Sequence, residues 1–376
     1  MKVYLDNAAT TPIDPAVYEA MQPYLKNEFG NPSSTHSFGR ISKSAIEEAR
    51  KKVADILNAS PGEIFFTSGG TEADNTSLNG LIRRYNIRNV ITSPIEHHAV
   101  LHSLEFFESI DLAQVQFLDV DNKGNIDEDQ LIDLLKDKKD SLVSLMHANN
   151  EIGNLIDLEE IGEICREHKA LFHSDTVQSI ARYDLDLNKV NINAVLGSAH
   201  KFHGPKGIGF MYINASTRIP PYILGGGQER DMRAGTENVY GIVGLAKAME
   251  IAYADLSRNR KHIESLKSRM VKGLKSAIPG VKFNGSSENI KGSLYSVLSV
   301  SLPPSDKNKM ILFQLDLNGI ATSGGSACGS GALKGSHVIN ALKADMDRTT
   351  IRFSFSKFNT PEEIDYTLNK LKEILT

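Results

Sequence analysis

Short apolar runs alternate with longer amphipathic stretches through about the first two thirds of the chain. The apolar runs predict strands at 63–67, 90–92, 115–118, 142–146, 170–173, 195–196 and 208–213. The stretches between them predict helices, among them 42–57, 71–84, 98–108, 127–135 and 158–168. Such alternation is typical of βαβ units, so we expect an α/β fold with a large, mainly parallel sheet of seven strands.

A different pattern fills the C-terminal third of the chain. A nearly continuous helical pattern runs from about 239 to 277, and long helices of this kind often cross between domains. Beyond it, alternating strands and helices predict a smaller α+β unit. We therefore expect a large α/β domain at 13–258 and a small α+β domain formed by 1–12 and 259–376.

The composition of the 376 residues is that of an ordinary globular protein, with 40% hydrophobic and 23% charged residues. A net charge of −4 gives no reason to expect a nucleic acid or an anionic membrane as a partner. The two cysteines, Cys165 and Cys328, cannot form a disulfide framework, which suits a reducing compartment. No signal peptide is recognisable, and no apolar run approaches the roughly 20 residues that span a bilayer. We expect a cytoplasmic protein.

Cys328 lies in a run of glycine, serine and alanine between Ala321 and Leu333. This run cannot build an apolar face around the sulfur, and its glycines let the backbone bend. An exposed thiol of this kind suits a nucleophile, although an incidental surface cysteine would have the same surroundings. Cys165 instead shares an apolar helix face with two isoleucines, so we expect it in the core.

Lys201 and Asp175 each follow a predicted strand. Ligands of α/β sheets bind at the carboxyl ends of strands, where a desolvated lysine can form a Schiff base. A carboxylate there can keep the ring nitrogen of pyridoxal phosphate protonated, and Gln178 could reach the phenolic oxygen of the ring. Taken singly, Lys201 suits a surface loop and Asp175 suits a helix N-cap. The pair favours the cofactor.

A phosphate site and a stacking group are also available. Thr67–Glu72 follows a strand, is rich in glycine and opens a helix, whose dipole favours an anion. His97 follows another strand and could stack on the cofactor ring. His97, His98 and His102 could instead form a metal cluster, but no cysteine or convincing set of carboxylates completes one. We therefore expect no metal ion.

Several segments together resemble the cysteine desulfurases, which belong to the class V aminotransferase superfamily of fold-type I pyridoxal phosphate enzymes. They occur in order along nearly the whole chain and are Tyr4–Thr11, Thr67–Glu72, Met146–Gly153, His173–Gln178, Ser198–Lys201, Gly225–Arg230 and Arg233–Thr236. The resemblance implies removal of sulfur from L-cysteine, release of L-alanine and a persulfide on Cys328. It also implies that the large domain binds the cofactor and that the small domain carries the Cys328 loop.

The same resemblance implies roles around the cofactor ring. Lys201 would bind pyridoxal phosphate covalently and take the Cα proton of the substrate, and Asp175 would contact the ring nitrogen. Gln178 and Asn150 would lie near the phenolic oxygen. His97 would stack on the ring, assist proton transfer and accept the proton of the Cys328 thiol, which reacts as a thiolate.

Further roles follow for the phosphate and the substrate. The phosphate would be held by Gly70, Thr71, Ser198 and His200 and, from a neighbouring subunit, by Thr236. A homodimer is therefore implied. Arg352, whose guanidinium fork fits a carboxylate, would bind the substrate together with Asn150.

Two departures from the family pattern occur. Gly70 stands where many relatives have alanine, which we expect to be harmless, and an extra glycine after Cys328 could loosen the loop. The long loop, from about 323 to 335, resembles the group that hands sulfur to an iron–sulfur scaffold, with Cys328 touching a cluster only transiently. A tRNA-thiolation relay or another sulfur-relay protein stays open as the acceptor. A selenocysteine lyase, a class V aminotransferase and an inactive interaction partner are the alternatives.

Overall fold

The computed structural model describes residues 1–136, 138–324 and 335–375. Its strands are β1 (Val3–Tyr4), β2 (Ile64–Thr67), β3 (Asn89–Thr92), β4 (Gln114–Phe117), β5 (Ser141–Ser144), β6 (Leu171–Asp175), β7 (Ala194–Ser198), β8 (Gly209–Ile213), β9 (Lys282–Phe283), β10 (Val297–Leu302), β11 (Ile320–Ala321) and β12 (Thr349–Ser354). Its α-helices are α1 (Pro15–Lys26), α2 (Ser37–Ile56), α3 (Gly70–Tyr85), α4 (His98–Ser109), α5 (Glu128–Leu135), α6 (Leu158–Glu167), α7 (Val239–Ala254), α8 (Leu256–Ala277), α9 (Ile311–Leu317), α10 (His337–Ala341) and α11 (Pro361–Leu375).

The large sheet has seven strands in the order β2-β8-β7-β6-β5-β3-β4. The strands from β7 to β4 in this order are parallel to one another, whereas β8 is antiparallel to both β2 and β7. The prediction of a mainly parallel, seven-stranded sheet is confirmed. The edge strand β4 contains two glutamines and is partly exposed, as suits a strand with one open side.

Neighbouring residues of the strands pack on opposite faces of this sheet, as the two-residue period of a strand requires. Phe66 and Val143 join a core with helices α1, α2 and α7. Phe65 and Leu142 join another core with α3 and α4. Helices therefore cover both faces of the sheet, which explains why its central strands read as continuous apolar runs.

A separate apolar core surrounds the three-stranded antiparallel sheet β12-β10-β9, on which helices α8 and α11 pack. The N-terminal segment joins this core through Val3 and Leu5, and strand β1 pairs in parallel with β11. This packing agrees with assigning 1–12 to the small unit. The domain boundaries themselves stay a prediction.

The helical pattern from 239 to 277 forms two helices. Helix α7 ends at Ala254 and α8 begins at Leu256, because Asp255 between them has the non-helical angles φ −109° and ψ 13°. The expectation of nearly continuous helix is confirmed apart from this one residue, because apolar spacing alone does not register a break of one position. Within the described ranges, no helix combines the length and the apolar character needed to cross a membrane.

Helix α6 carries Cys165, which is 1% exposed. The sulfur lies in the core that also contains Val143 and Phe172. Burial raises the pKa of this thiol to about 12, so it is protonated and unreactive. The prediction of a core cysteine is confirmed.

Candidate active site

A cavity of about 310 Å³ lies where strands β6 and β7 end and helices α3 and α4 begin. This is the edge of an α/β sheet at which ligands bind. Its walls include the predicted site residues Gly70, Thr71, His97, Asn150, Asp175, Gln178, Ser198, His200, Lys201 and Arg352. Thr236 lies elsewhere, and Cys328 lies outside the described residues.

Lys201 enters the cavity from a short 3-10 helix, Ala199–Lys201, that follows β7 directly. Its Nζ donates hydrogen bonds to the carbonyl oxygens of Ala8, at 2.7 Å, and Ala9, at 3.0 Å. Its own carbonyl oxygen accepts a hydrogen bond from Nη2 of Arg182 at 2.9 Å. These contacts fix both the side chain and the backbone of Lys201, so its amine has a defined position on the cavity wall.

Asp175 is the last residue of β6 and is 6% exposed. Its Oδ1 accepts a hydrogen bond from the backbone N–H of Val177 at 2.8 Å, the local turn that aspartate commonly makes. Burial raises the pKa of Asp175, while His97 and Lys201 lower it. The carboxyl group is therefore desolvated but lies close to groups that favour its ionised form.

Gln178 and Asn150 bring amide groups to the cavity. Gln178 donates from Nε2 to the carbonyl oxygen of Ala8 at 3.0 Å, and its buried Oε1 has no hydrogen-bond partner among the described residues. Buried polar atoms in native proteins are nearly always satisfied by protein, water or ligand. The unsatisfied Oε1 of Gln178 therefore indicates that a polar group belongs beside it.

Helix α3 begins at the cavity with Gly70, and no side chain caps its N-terminus. The preceding Gly69 has φ 159° and ψ −176°, a conformation that residues with a Cβ rarely adopt. The exposed N–H groups and the helix dipole make this end suitable for an anion. Ser198 and His200 lie on the same wall. Burial lowers the pKa of His200 to about 4, so its ring is neutral near pH 7.

His97 is the N-cap of α4, where its Nδ1 accepts a hydrogen bond from the backbone N–H of Ala99 at 3.1 Å. Burial lowers the pKa of His97, although Asp175 acts in the opposite direction. The neutral ring therefore carries its proton on Nε2. A ring in this state donates a hydrogen bond from Nε2 and can accept a further proton only at Nδ1, where it would lose the contact with Ala99. The expectation that His97 accepts the proton of the Cys328 thiol stays a prediction.

Arg352 reaches the cavity from β12 of the small unit and is 1% exposed. Its Nη1 donates to the carbonyl oxygen of Asn150 at 3.0 Å, and its Nη2 donates to Oδ1 of Asp6 at 2.9 Å. The two contacts fix the plane of the guanidinium group. Asp6 was not predicted as a site residue, since its partner is 346 positions away and leaves no local pattern.

Two further contacts on the cavity wall were also missed. Ser336 donates from its hydroxyl to Oε2 of Glu151 at 2.5 Å, and His337 pairs through Nε2 with the carbonyl oxygen of Glu96 at 2.9 Å. Burial raises the pKa of Glu151, while Ser336, His337 and Arg352 lower it. The signal available in the sequence was position alone, because Glu151 follows Asn150 and Glu96 precedes His97.

Thr236 is exposed and lies in a separate hollow with Arg233 and Glu237. Within one chain it does not line the cavity of Lys201. Leu224 and Phe29 are 80% and 75% exposed, and large exposed apolar side chains are common at protein contacts. Thr236 could therefore contact a cavity like that of Lys201 only in another copy of the chain.

Asp74 is a buried residue of α3 that was not predicted to belong to the site. Asp74, His97 and Asp175 each bring one oxygen or nitrogen atom within 4.8 Å of the other two. Such atoms also bind metal ions. The expectation that no metal binds here stays a prediction.

Comparisons with known proteins agree with this architecture. The family model described as Aminotransferase class-V matches residues 3–367, so the chain belongs to that family. The cysteine desulfurase IscS of Dictyoglomus turgidum is 41% identical over 378 residues, which cover 100% of this chain and 94% of the relative. Full-length similarity of this kind places the chain among the cysteine desulfurases.

Two solved structures extend the comparison. A NifS-like protein superposes with a TM-score of 0.91 at 39% identity, covering 100% of this chain and 99% of its own. A structure described as SspA in complex with cysteine has a TM-score of 0.82 at 32% identity, covering 96% of this chain and 100% of its own. The fold is therefore that of the NifS-like enzymes, in agreement with fold-type I.

Proposed function

We propose that this protein takes sulfur from L-cysteine, releases L-alanine and holds the sulfur as a persulfide on Cys328. The observation that carries the proposal is that Lys201, Asp175 and Arg352 line one cavity. An amine, a carboxylate and a guanidinium group so placed suit a cofactor-dependent reaction of an amino acid. A relative of known structure was solved with cysteine, which supports the choice of substrate.

The residues present fit pyridoxal phosphate. The uncapped N-terminus of α3, with Ser198 and His200 beside it, suits the phosphate. Lys201 suits the aldehyde, Asp175 suits the ring nitrogen, and the unsatisfied amide of Gln178 suits a polar ring substituent. When bound, pyridoxal phosphate supplies an electron sink for the charge that develops at the Cα of the substrate.

Lys201 would act both as the attachment point of the cofactor and as a base. The carbonyl oxygens of Ala8 and Ala9 accept hydrogen bonds from its Nζ and hold the amine at the cavity wall. From this position Nζ would take the proton from the substrate Cα. Both carbonyl groups remain available to stabilise the protonated amine afterwards.

Arg352 would bind the carboxylate of the substrate. Asp6 and the Asn150 carbonyl fix the guanidinium plane before the substrate arrives, so less conformational entropy is lost on binding. Burial of Arg352 strengthens the charge-assisted hydrogen bonds that a carboxylate forms with it.

His97 would take up the proton that the Cys328 thiol loses and would then pass a proton to the substrate carbon. When the sulfur moves to Cys328, its bond to the substrate carbon breaks, and that carbon must gain a proton to become alanine. His97 lines the cavity and carries a proton on Nε2, because its Nδ1 is occupied by the Ala99 N–H. Cys328 would attack as a thiolate.

The remaining partners are part of the same proposal. We infer a homodimer in which Thr236 reaches the phosphate of the neighbouring subunit, which its exposure and its position outside the cavity of its own chain support. An iron–sulfur scaffold would accept the persulfide sulfur, with a sulfur-relay protein as the other acceptor. We infer a cytoplasmic location, which the low cysteine content supports.

The activity is tested by loading the protein with pyridoxal phosphate and then adding L-cysteine and a reductant. We expect alanine and sulfide in equal amounts, and loss of sulfide release in Cys328→Ser. Sulfide release by Cys328→Ser at the parent rate would contradict the persulfide. A class V aminotransferase would instead move the amino group to a 2-oxo acid without releasing sulfide. Turnover of L-selenocysteine beside L-cysteine tests the lyase alternative.

A further inference from the structure

A pair of buried carboxyl groups lies at the Asp175 end of the cavity. Asp74 is 1% exposed, lines the cavity, and has an Oδ1 with no hydrogen-bond partner among the described residues. An oxygen of Asp74 lies within 4.8 Å of an oxygen of Asp175 and of a ring nitrogen of His97. The mechanism proposed above gives Asp74 no role.

His173 stands behind Asp74, two positions before Asp175 on β6, and is 0% exposed. Its Nδ1 lies 2.9 Å from Oγ of Ser144, and its Nε2 lies 3.6 Å from Oδ1 of Asp74. A neutral imidazole has one donor and one acceptor nitrogen. If Nδ1 donates to Ser144, Nε2 is an acceptor, and a small shift lets the acid form of Asp74 donate to it. An ionised Asp74 has no proton to donate.

The surroundings also favour different protonation states for the two carboxyl groups. Two acids this close in a buried place do not both ionise, because their like charges repel strongly in a medium of low polarity. Asp175 receives the N–H of Val177 and is favoured by the charge of Lys201. Asp74 faces Asp175 on β6, and Glu96 on the neighbouring loop is also close enough to affect the pKa of Asp74.

The protonation preferences agree with this geometry. Burial, and then the charge of Asp175, raise the pKa of Asp74 well above its ordinary value, whereas Glu96 is itself protonated near pH 7 and adds no charge there. Burial lowers the pKa of His173 to about 3, so the imidazole is neutral near pH 7. A neutral Asp74 beside a neutral His173 is therefore the arrangement expected near pH 7.

We propose that Asp74 is an uncharged positioning residue. The pair Asp74 and Asp175 carries one negative charge, and that charge lies on Asp175. The inference rests on the proposed function, since the charge on Asp175 has its use at the ring nitrogen of pyridoxal phosphate. Asp74 would act through Asp175, with its proton directed to His173. Its task is to fill the space behind the charged carboxylate without adding a second charge.

The test compares Asp74→Asn with Asp175→Asn, since both replace a carboxyl by an amide of the same shape. Apoprotein is titrated with pyridoxal phosphate, and the absorbance of the loaded protein is followed against pH. We expect Asp74→Asn to stay within about threefold of the parent affinity with an unchanged pH profile, and Asp175→Asn to lose about tenfold or more. If Asp74→Asn weakens binding as much as Asp175→Asn does, Asp74 carries the charge and the inference is wrong.

A second readout uses infrared spectroscopy of the apoprotein near pH 7. In a Glu96→Gln background, which removes one of the other buried acids, we expect the carbonyl stretch of a protonated carboxyl group that disappears on adding Asp74→Asn. If the Glu96→Gln protein itself shows no such band, the inference is overturned, even if the double variant does not fold. Failure of the parent to bind pyridoxal phosphate would instead count against the proposed function.

Discussion

The two walls of the cavity are built in different ways. On the wall of the large sheet, Asp175 ends β6 and Lys201 lies just after β7, and backbone groups hold both side chains, those of Ala8 and Ala9 from 193 and 192 positions away. On the wall of the small unit, Arg352 is held by Asp6, which is 346 positions away in the sequence. The first wall carries the groups for the chemistry, and the second carries the group for substrate binding. Loss of Lys201 from the first wall should abolish turnover, whereas changes to Arg352 or Asp6 on the second should mainly raise KM.

The largest effect is expected on the first wall from Lys201→Ala. Loss of Nζ removes both the attachment of the cofactor and the base, so alanine formation should fall by about 10³-fold or more. The fold should persist, because the Ala8 and Ala9 carbonyl groups that Lys201 leaves behind can bind water instead. Alanine formation within tenfold of the parent would show that another residue is the base.

On the second wall, Arg352→Lys should raise KM for L-cysteine about 30-fold with a smaller change in kcat. Lysine keeps the charge but loses the fork that binds a carboxylate with two hydrogen bonds. Arg269→Lys is the matched control, since Arg269 also pairs with an aspartate of the small unit, Asp365, but on the exposed surface. A fall in kcat at constant KM would mean that Arg352 does not bind the substrate carboxylate.

Asp6→Asn should have a smaller effect on the same wall. The amide retains a hydrogen-bond acceptor but loses the charge that fixes Arg352, so KM should rise about fivefold. The matched control is Asp365→Asn, which removes an exposed pairing carboxylate and should leave KM unchanged. Steady-state kinetics with L-cysteine measures both variants. An equal KM for Asp6→Asn and Asp365→Asn would show that Asp6 does not help Arg352 to bind the substrate.

Glu96 lies between the walls, since its carbonyl oxygen is paired with His337 and His97 follows it. Burial raises the pKa of its carboxyl group from 4.5 to about 8. The folded protein therefore holds this proton more tightly than the unfolded chain, and the stability it contributes is lost as pH rises towards and through 8.

Melting temperatures at pH 5 and pH 9 measure this effect. Between pH 5 and pH 9, the melting temperature of the parent should fall by at least about 2 °C more than that of Glu96→Gln, which has no proton to release. Glu105→Gln, at an exposed position of the neighbouring helix α4, should follow the parent. Parallel pH curves for the parent and Glu96→Gln would show that Glu96 is ionised in the folded protein.

The smallest effect is expected from Gly70→Ala, on the phosphate side of the first wall. An added Cβ would come 2.8 Å from Cγ2 of Val177, so Val177 must shift. We expect pyridoxal phosphate affinity to fall about threefold and to recover in the double variant Gly70→Ala/Val177→Ala. Equal affinity of parent and single variant would support the expectation from the sequence that glycine in place of the relatives' alanine is a harmless departure here.

The two walls also differ in how far they could be predicted from the sequence. The strands that position Lys201 and Asp175 are short apolar runs, and each residue lies at or just after the end of its strand, so spacing and chemistry pointed to them. The seven-stranded sheet followed from the same pattern, because a sheet covered by helices on both faces has continuous apolar strands.

Arg352 was identified only through the resemblance to a family, and Asp6 was not identified. Their contact forms across 346 positions, and neither residue stands in a local pattern that differs from an ordinary strand or turn. Asp74 was missed for a related reason, since an aspartate in the polar part of an amphipathic helix is usually exposed. Its burial depends on how α3 packs on β6 and β7.

The most direct test of the account is the mass of the peptide that contains Cys328 after brief mixing with L-cysteine. In the protein loaded with pyridoxal phosphate, this peptide should gain one sulfur atom as alanine appears, and it should return to its original mass on reduction. Lys201→Ala should show no gain. Alanine and sulfide released at the parent rate with no sulfur ever found on Cys328 would contradict the central claim.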